Sequence, residues 1–177
     1  MEVVYGYVGG AERSKVRAVA RSDMEIAMEI RGEQMERLRT DEWLSLEAME
    51  EFYDMKVSNR GTDVRLWWGA PACLFGFVNI QWCNRTGEIS YLSRSFTPGL
   101  VRWLFWQGFE VMNLETITAE VYDTNPEKGL WAATFRDLNT DPVILKKRKY
   151  WDGKYWDSKL YILDKQDWKN STVDGND

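Results

Sequence analysis

The chain has 177 residues, 44% hydrophobic and 14% aromatic, with ten tryptophans and a net charge of −5 from 23 basic and 28 acidic side chains. A single-domain length with that aromatic load excludes disorder over most of the chain, and the acidic balance argues against a dedicated nucleic-acid binder, which works by neutralising phosphates. Histidine is missing altogether, which excludes Ser-His-Asp and Cys-His nucleophile systems and leaves acid–base chemistry to carboxylates, Tyr, Lys, Cys, a terminal amine or water.

Two cysteines, Cys73 and Cys83, are too few for a zinc site, so no metal is expected. They form no secreted disulfide pattern, and a reducing cytoplasm is the expected compartment. No window reaches the roughly 18 apolar residues of a membrane helix. The start, with Glu12, Arg13, Lys15 and Arg17, lacks the apolar region of a signal peptide.

Val3 to Val8 is short, apolar and aromatic, a strand or a loosely held lead-in before Gly9-Gly10. From Ser22 to Lys56 the chain carries eleven acidic and four basic residues. Met24, Ala27, Met28, Met35 and Leu38 share one helical stripe, with Ser22 and Asp23 as caps. Thr40 and Asp41 read as the start of a second helix, with Leu44, Ala48, Met49 and Phe52 on its apolar arc. After the turn signal Asn59–Asp63, strand-like runs cover Val64–Trp68, Cys73–Trp82 and Glu88–Ser93, an antiparallel meander. Thr97-Pro98 then opens a helix, threonine as N-cap and proline in the first turn, that is apolar nearly all round from Leu100 to Met112.

Glu115 to Tyr122 alternates like a strand and ends at Asp123-Thr-Asn-Pro126, and a short helix covers Glu127 to Leu138. Val143–Trp151 and Lys154–Leu163 flank Asp152-Gly153, the residue pair that a tight turn with positive φ requires. The reading is a single α+β (mixed α/β) domain over residues 1–168, with a polar tail over 169–177.

This order of elements resembles the GNAT acyltransferase superfamily, and its local wording is similar to the RimJ/RimL-like branch. The resemblance rests on Gly87-Glu-Ile-Ser-Tyr-Leu92, Gly108-Phe-Glu-Val-Met-Asn-Leu114, Ile117 to Asn125 and the closing hairpin Tyr150 to Tyr161. It implies a central twisted, mostly antiparallel sheet flanked by helices, with acetyl-CoA as cofactor. Ser90, Tyr91, Leu92 and Ser93 would then flank pantetheine; Thr97, Gly99 and Leu100 would face the phosphates; Asn125 would support the amide arm. The connection Arg94-Ser-Phe-Thr-Pro-Gly99 is shorter than the family's phosphate loop and has a single glycine. Where many members carry an acid tyrosine, this chain has Ala132.

Under that resemblance Glu88, leading the strand that presents the cofactor, is the candidate base, and Tyr122 or Tyr91 the candidate acid. The plain alternatives are a solvated strand-end glutamate and buried tyrosines. Lys146-Lys-Arg-Lys149, among aromatics, suits either nucleic acid or a solvated hairpin face. The acidic helices suit a basic acceptor such as a polyamine, a lysine side chain or an amino-terminus, or are simply solvated. Two functions follow: an N-acyltransferase acting on an amine-bearing small molecule or protein, with no nucleic acid and no membrane as partner, or a catalytically inactive GNAT-like protein, such as tailed phages carry, working through protein–protein contacts.

Overall fold

The computed structural model describes residues 16–38, 44–58, 63–69 and 72–173. The Val3–Val8 run, the helix start at Thr40 and Asp41, and most of the Asn59–Asp63 turn lie outside the described residues.

Among the described residues, seven strands form one sheet in the order β1-β2-β3-β4-β5-β7-β6. They are β1 (Val16–Ala18), β2 (Arg65–Gly69), β3 (Cys73–Gln81), β4 (Thr86–Ser93), β5 (Thr116–Tyr122), β6 (Val143–Trp151) and β7 (Lys154–Asp164). Every neighbouring pair is antiparallel except β4 and β5. The expected α+β architecture with a mostly antiparallel sheet is therefore what forms. The β6–β7 turn has positive φ at Asp152 (51°) and Gly153 (77°), as the Asp-Gly pair requires.

Strand alternation sorts the side chains into two cores. One face buries Phe75, Phe77, Ile117 and Leu163 against α3 (Pro98–Trp106), whose Leu100, Leu104 and Phe105 are fully buried. Burying one such side chain is worth about 1.5–3 kcal/mol, which places α3 and its face at the structural centre. The helix continues as a π-helical turn, Gln107–Val111. There Gly108 lies so close to the sheet that a Cβ would sit 2.7 Å from Ile117 and 2.9 Å from Phe77. The other face carries a second core of Leu66, Trp68, Leu74 and Leu92 under Met24, Ala27 and Ile30 of α1 (Asp23–Glu33) and Met49 of α2 (Leu46–Phe52).

Three local readings differ from the sequence. Ser22 precedes α1 in helical conformation and its side chain makes no cap; instead the Asp23 carboxylate accepts from Ala20 N–H (2.7 Å) and Arg17 (2.6 Å). The described helix α2 begins at Leu46, capped by Ser45, which accepts from Ala48 N–H at 3.2 Å. Residues after Trp168 remain helical to Val173 in α5 (Lys165–Val173), because Trp168 packs on Phe105 and Phe109 and donates to Glu110 at 3.2 Å.

Candidate functional site

The parallel register of β4 with β5 covers Thr86↔Thr116, Gly87↔Ile117 and Glu88↔Thr118. Beyond Glu88 the two strands part. β4 stays paired with β3 through Ser93 and β5 with β7 through Tyr122, so each strand turns one edge into the opening. A cavity of about 360 Å³ fills the gap, lined by consecutive residues Glu88 to Ser93 on one side and Ala119 to Tyr122 on the other. Because neighbours in a strand point to opposite faces, a lining of consecutive residues means that the cavity passes through the sheet. One mouth lies under α1 and α2, the other beside α4 (Lys128–Arg136), where Trp131 lines it.

Glu88 stands where the strands part. Its Oε2 accepts from Asn79 Nδ2 at 2.8 Å. Asn79 owes that aim to an irregularity in β3 between Val78 and Gln81, where its φ is 51°. Tyr122 is buried (3% exposed) at the far end of the β5 lining. Ser90, Tyr91, Leu92, Ser93 and Asn125 all line the same cavity, together with Glu88 and Tyr122.

The loop from β4 to α3 is arranged differently. Thr97 occupies the N-cap position and Pro98 the first turn, but the Thr97 side chain makes no cap. Its carbonyl accepts from Leu100 and Val101 N–H at 3.0 and 3.3 Å. Leu100 turns its side chain into the core at 1% exposure, and Gly99 is exposed with open space where a Cβ would be. The three N–H groups ahead of Pro98 are taken up by the chain's own side chains. Ser93 Oγ accepts from Ser95 N–H at 3.3 Å, a Glu127 carboxylate oxygen from Phe96 N–H at 2.8 Å, and the Tyr91 hydroxyl from Thr97 N–H at 2.9 Å. The other Glu127 oxygen receives the Arg37 guanidinium at 2.7 Å. Asn125 fixes this arrangement, its Oδ1 accepting from Glu127 N–H at 2.8 Å.

Burial raises the Tyr91 hydroxyl well above the ordinary phenol range. With its ring wedged against Phe96 and Trp131, it is a neutral hydrogen-bonding group. Burial likewise pushes the Cys73 thiol from 9.0 to about 12. Arg94 pairs with Glu33 at 2.7 Å, tying the loop to α1 and holding that carboxyl below its usual range.

Sequence reasoning missed Arg37, Glu127 and Lys149. Arg37 belongs to a 3-10 turn, Met35–Arg37, that roofs the cavity. Lys149, 4% exposed, fastens that turn from β6: its ammonium donates to the carbonyls of Met35 (2.6 Å), Glu36 (3.0 Å) and Leu38 (2.7 Å) and lies 4.7 Å from the Trp151 ring. The Thr124 hydroxyl also donates to the Glu36 carbonyl. Lys146 and Arg148 of the same basic run are engaged by Asp157 and Glu120. Among the described residues no cluster of three or more His, Cys, Asp or Glu is placed to hold a metal ion, and no helix is long and apolar enough to cross a membrane.

No protein-family model matches this sequence, and no curated protein matches it at a significant level. Solved structures do match the fold. Spermidine N-acetyltransferase from Vibrio cholerae in complex with CoA and spermine has a TM-score of 0.74 at 17% identity, covering 89% of this chain and 98% of that one. Mutant forms of the spermidine/spermine N-acetyltransferase SpeG from the same organism give 0.72 at 17%, covering 90% and 98%. A chimera of that enzyme and hSSAT gives 0.72 at 18%, covering 90% and 99%. The chain has the GNAT fold.

Proposed function

We propose that this chain is an N-acyltransferase that moves an acetyl group from acetyl-CoA to an amine by direct attack. The observation that carries the reading is the parting of β4 and β5 beyond Glu88, with a cavity running through the sheet along both freed edges. The residues fit the acyl arm: an extended strand edge, Ser90 to Ser93, faces the cavity. They fit the phosphate end with the Glu127 side chain swung off the Phe96 N–H.

Acetyl-CoA, when bound, supplies a thioester whose C–S bond breaks as the amine nitrogen forms the new C–N bond, leaving a thiolate. The chain's own groups manage the protons. Glu88, directly or through a water, takes the proton that the ammonium must lose. The Tyr122 hydroxyl, buried on the opposite strand, returns one to the thiolate. Main-chain donors on β4 polarise the carbonyl. Gly99, between Thr97 and Leu100, opens the start of α3 to the phosphates, and Asn125 supports the arm, its Oδ1 holding the Glu127 main chain while that side chain swings away. Kinship with the RimJ/RimL-like branch, a cytoplasmic location and an amine-bearing acceptor, whether small molecule or protein, belong to the same proposal.

The test is Glu88→Gln. Turnover is expected to fall by about 10²–10⁴-fold, the usual contribution of a general base, with acetyl-CoA affinity retained. Unchanged turnover would sink the assignment. One observation favours a second reading, a GNAT-like protein that has given up catalysis for binding a protein partner, as in phage-encoded relatives: the Ser95, Phe96 and Thr97 N–H groups are already satisfied from within. Absence of acetyl-CoA binding at millimolar cofactor, in folded protein, would select it.

A further inference from the structure

We infer that the mouth of this cavity under α1 and α2 receives the acceptor and takes a primary amine with a single positive charge on an apolar body, rather than a polyamine; the inference rests on the acyltransferase reading above. The acidic helices point elsewhere. Glu25, Glu29, Glu33 and Glu47 are exposed on the outer side of α1 and α2. Glu29 and Glu33 meet Arg94, while Glu50 and Asp54 meet Arg21. The helical segment turns Leu38, Leu44, Met49 and Phe52 into the cavity, with Arg31 and Arg37 beside them, and the sheet adds Leu66 and Leu74 beneath. Among the described residues, no carboxylate of these helices lines the cavity.

Three carboxylates do line it, all from the sheet side: Glu88, Glu120 and Glu127. Glu120 is 6% exposed and held by Arg148 (3.1 Å) and Ser158 (2.6 Å). Glu127 is held by Arg37. A polycation needs a row of carboxylates at the spacing of its nitrogens. Here a second ammonium would lose its water against the apolar side chains of Leu38, Leu44, Met49 and Phe52. A monoamine meets Glu88 where the strands part and lays its hydrocarbon along the apolar wall, which rewards it roughly in proportion to the area covered.

The experiment uses the full chain with acetyl-CoA, following thiol release with phenethylamine and with spermidine as acceptors, while calorimetry measures acetyl-CoA binding separately. The expected kcat/KM for phenethylamine exceeds that for spermidine by about tenfold or more. Equal or better use of spermidine overturns the inference. So does bound acetyl-CoA with neither amine acetylated, an outcome that leaves the cofactor reading standing. Failure to bind acetyl-CoA removes that reading, and the inference with it. Phe52→Glu, placing a carboxylate on the apolar wall, is expected to narrow the preference about tenfold at unchanged acetyl-CoA affinity, and an unchanged ratio overturns the inference. Leu44→Glu, half-buried on the same wall, serves if Phe52→Glu does not fold.

Discussion

Glu127→Ala removes the carboxylate that bridges the Phe96 N–H at 2.8 Å and the Arg37 guanidinium at 2.7 Å. Both side chains are partly buried, Arg37 at 17% and Glu127 at 20% exposure, so the bridge is neither fully screened nor fully desolvated. Two charge-assisted hydrogen bonds in that setting contribute about 2–3 kcal/mol net. An incoming phosphate has to displace them, so the binding-competent loop is populated only by the corresponding fraction, and apparent affinity is reduced by the same factor. Removing the carboxylate is therefore expected to tighten CoA binding by roughly 30- to 150-fold, at 1.4 kcal/mol per decade. Freed Arg37 acts in the same direction, since its charge becomes available to the ligand. The assay is calorimetric titration of wild type and variant with CoA at one fixed salt concentration, with urea denaturation confirming that both are folded. Glu127→Gln, which keeps the size and loses the charge, should give a smaller gain. An affinity for CoA that stays within twofold, or weakens, would refute the idea that Glu127 competes for this loop.

Lys149→Met keeps the hydrocarbon stem and loses the donors to three carbonyls. It should cost about 3 kcal/mol of stability and lower the Tm by roughly 6–12 °C for a chain of this size; a loss below about 1 kcal/mol would show that water replaces the ammonium. The two thiols should separate cleanly. Exposed Cys83 is expected to react with a thiol reagent at pH 8 while buried Cys73 reacts after denaturation. Because burial raises the Cys73 thiol from 9.0 to about 12, its contribution to stability is complete below pH 9 and is lost as the pH climbs toward 12. Equal labelling rates in the native protein would contradict the buried placement.

Local signals carried much of the fold. Asp152-Gly153 announced its hairpin, Thr97-Pro98 the start of α3, and the meander read correctly from its apolar runs, because turn geometry and strand alternation are properties of a few adjacent residues. Non-local features were not legible. Lys149 sits in a basic run that reads as solvated, yet Lys147 has φ 53° and the β6–β7 register shifts between Leu145 and Lys149, which changes the alternation and sends one lysine inward. Glu127 reads as an ordinary residue at the head of a helix, and only the approach of the β4–α3 loop gives its carboxylate a purpose. The composition of α1 and α2 announced acidity, but not that Glu25, Glu29, Glu33 and Glu47 face outward and the cavity receives the apolar side.

The Lys149 tether also bears on the order of assembly. Its ammonium reaches carbonyls 111 to 114 residues earlier in the chain, and the strand that carries it joins the sheet through β7, which is made after it and lies between β5 and β6. During synthesis the roof over the cavity therefore has only its ties to Thr124 and Glu127, and gains the lysine anchor when the last hairpin has emerged and zipped onto β5. Contacts of such long sequence separation close late, since loop entropy has to be overcome first. A nascent or truncated chain ending before β7 would hold most of its hydrophobic mass with a roof tied by Thr124 and Glu127 alone, so the cavity takes its finished form in a late step.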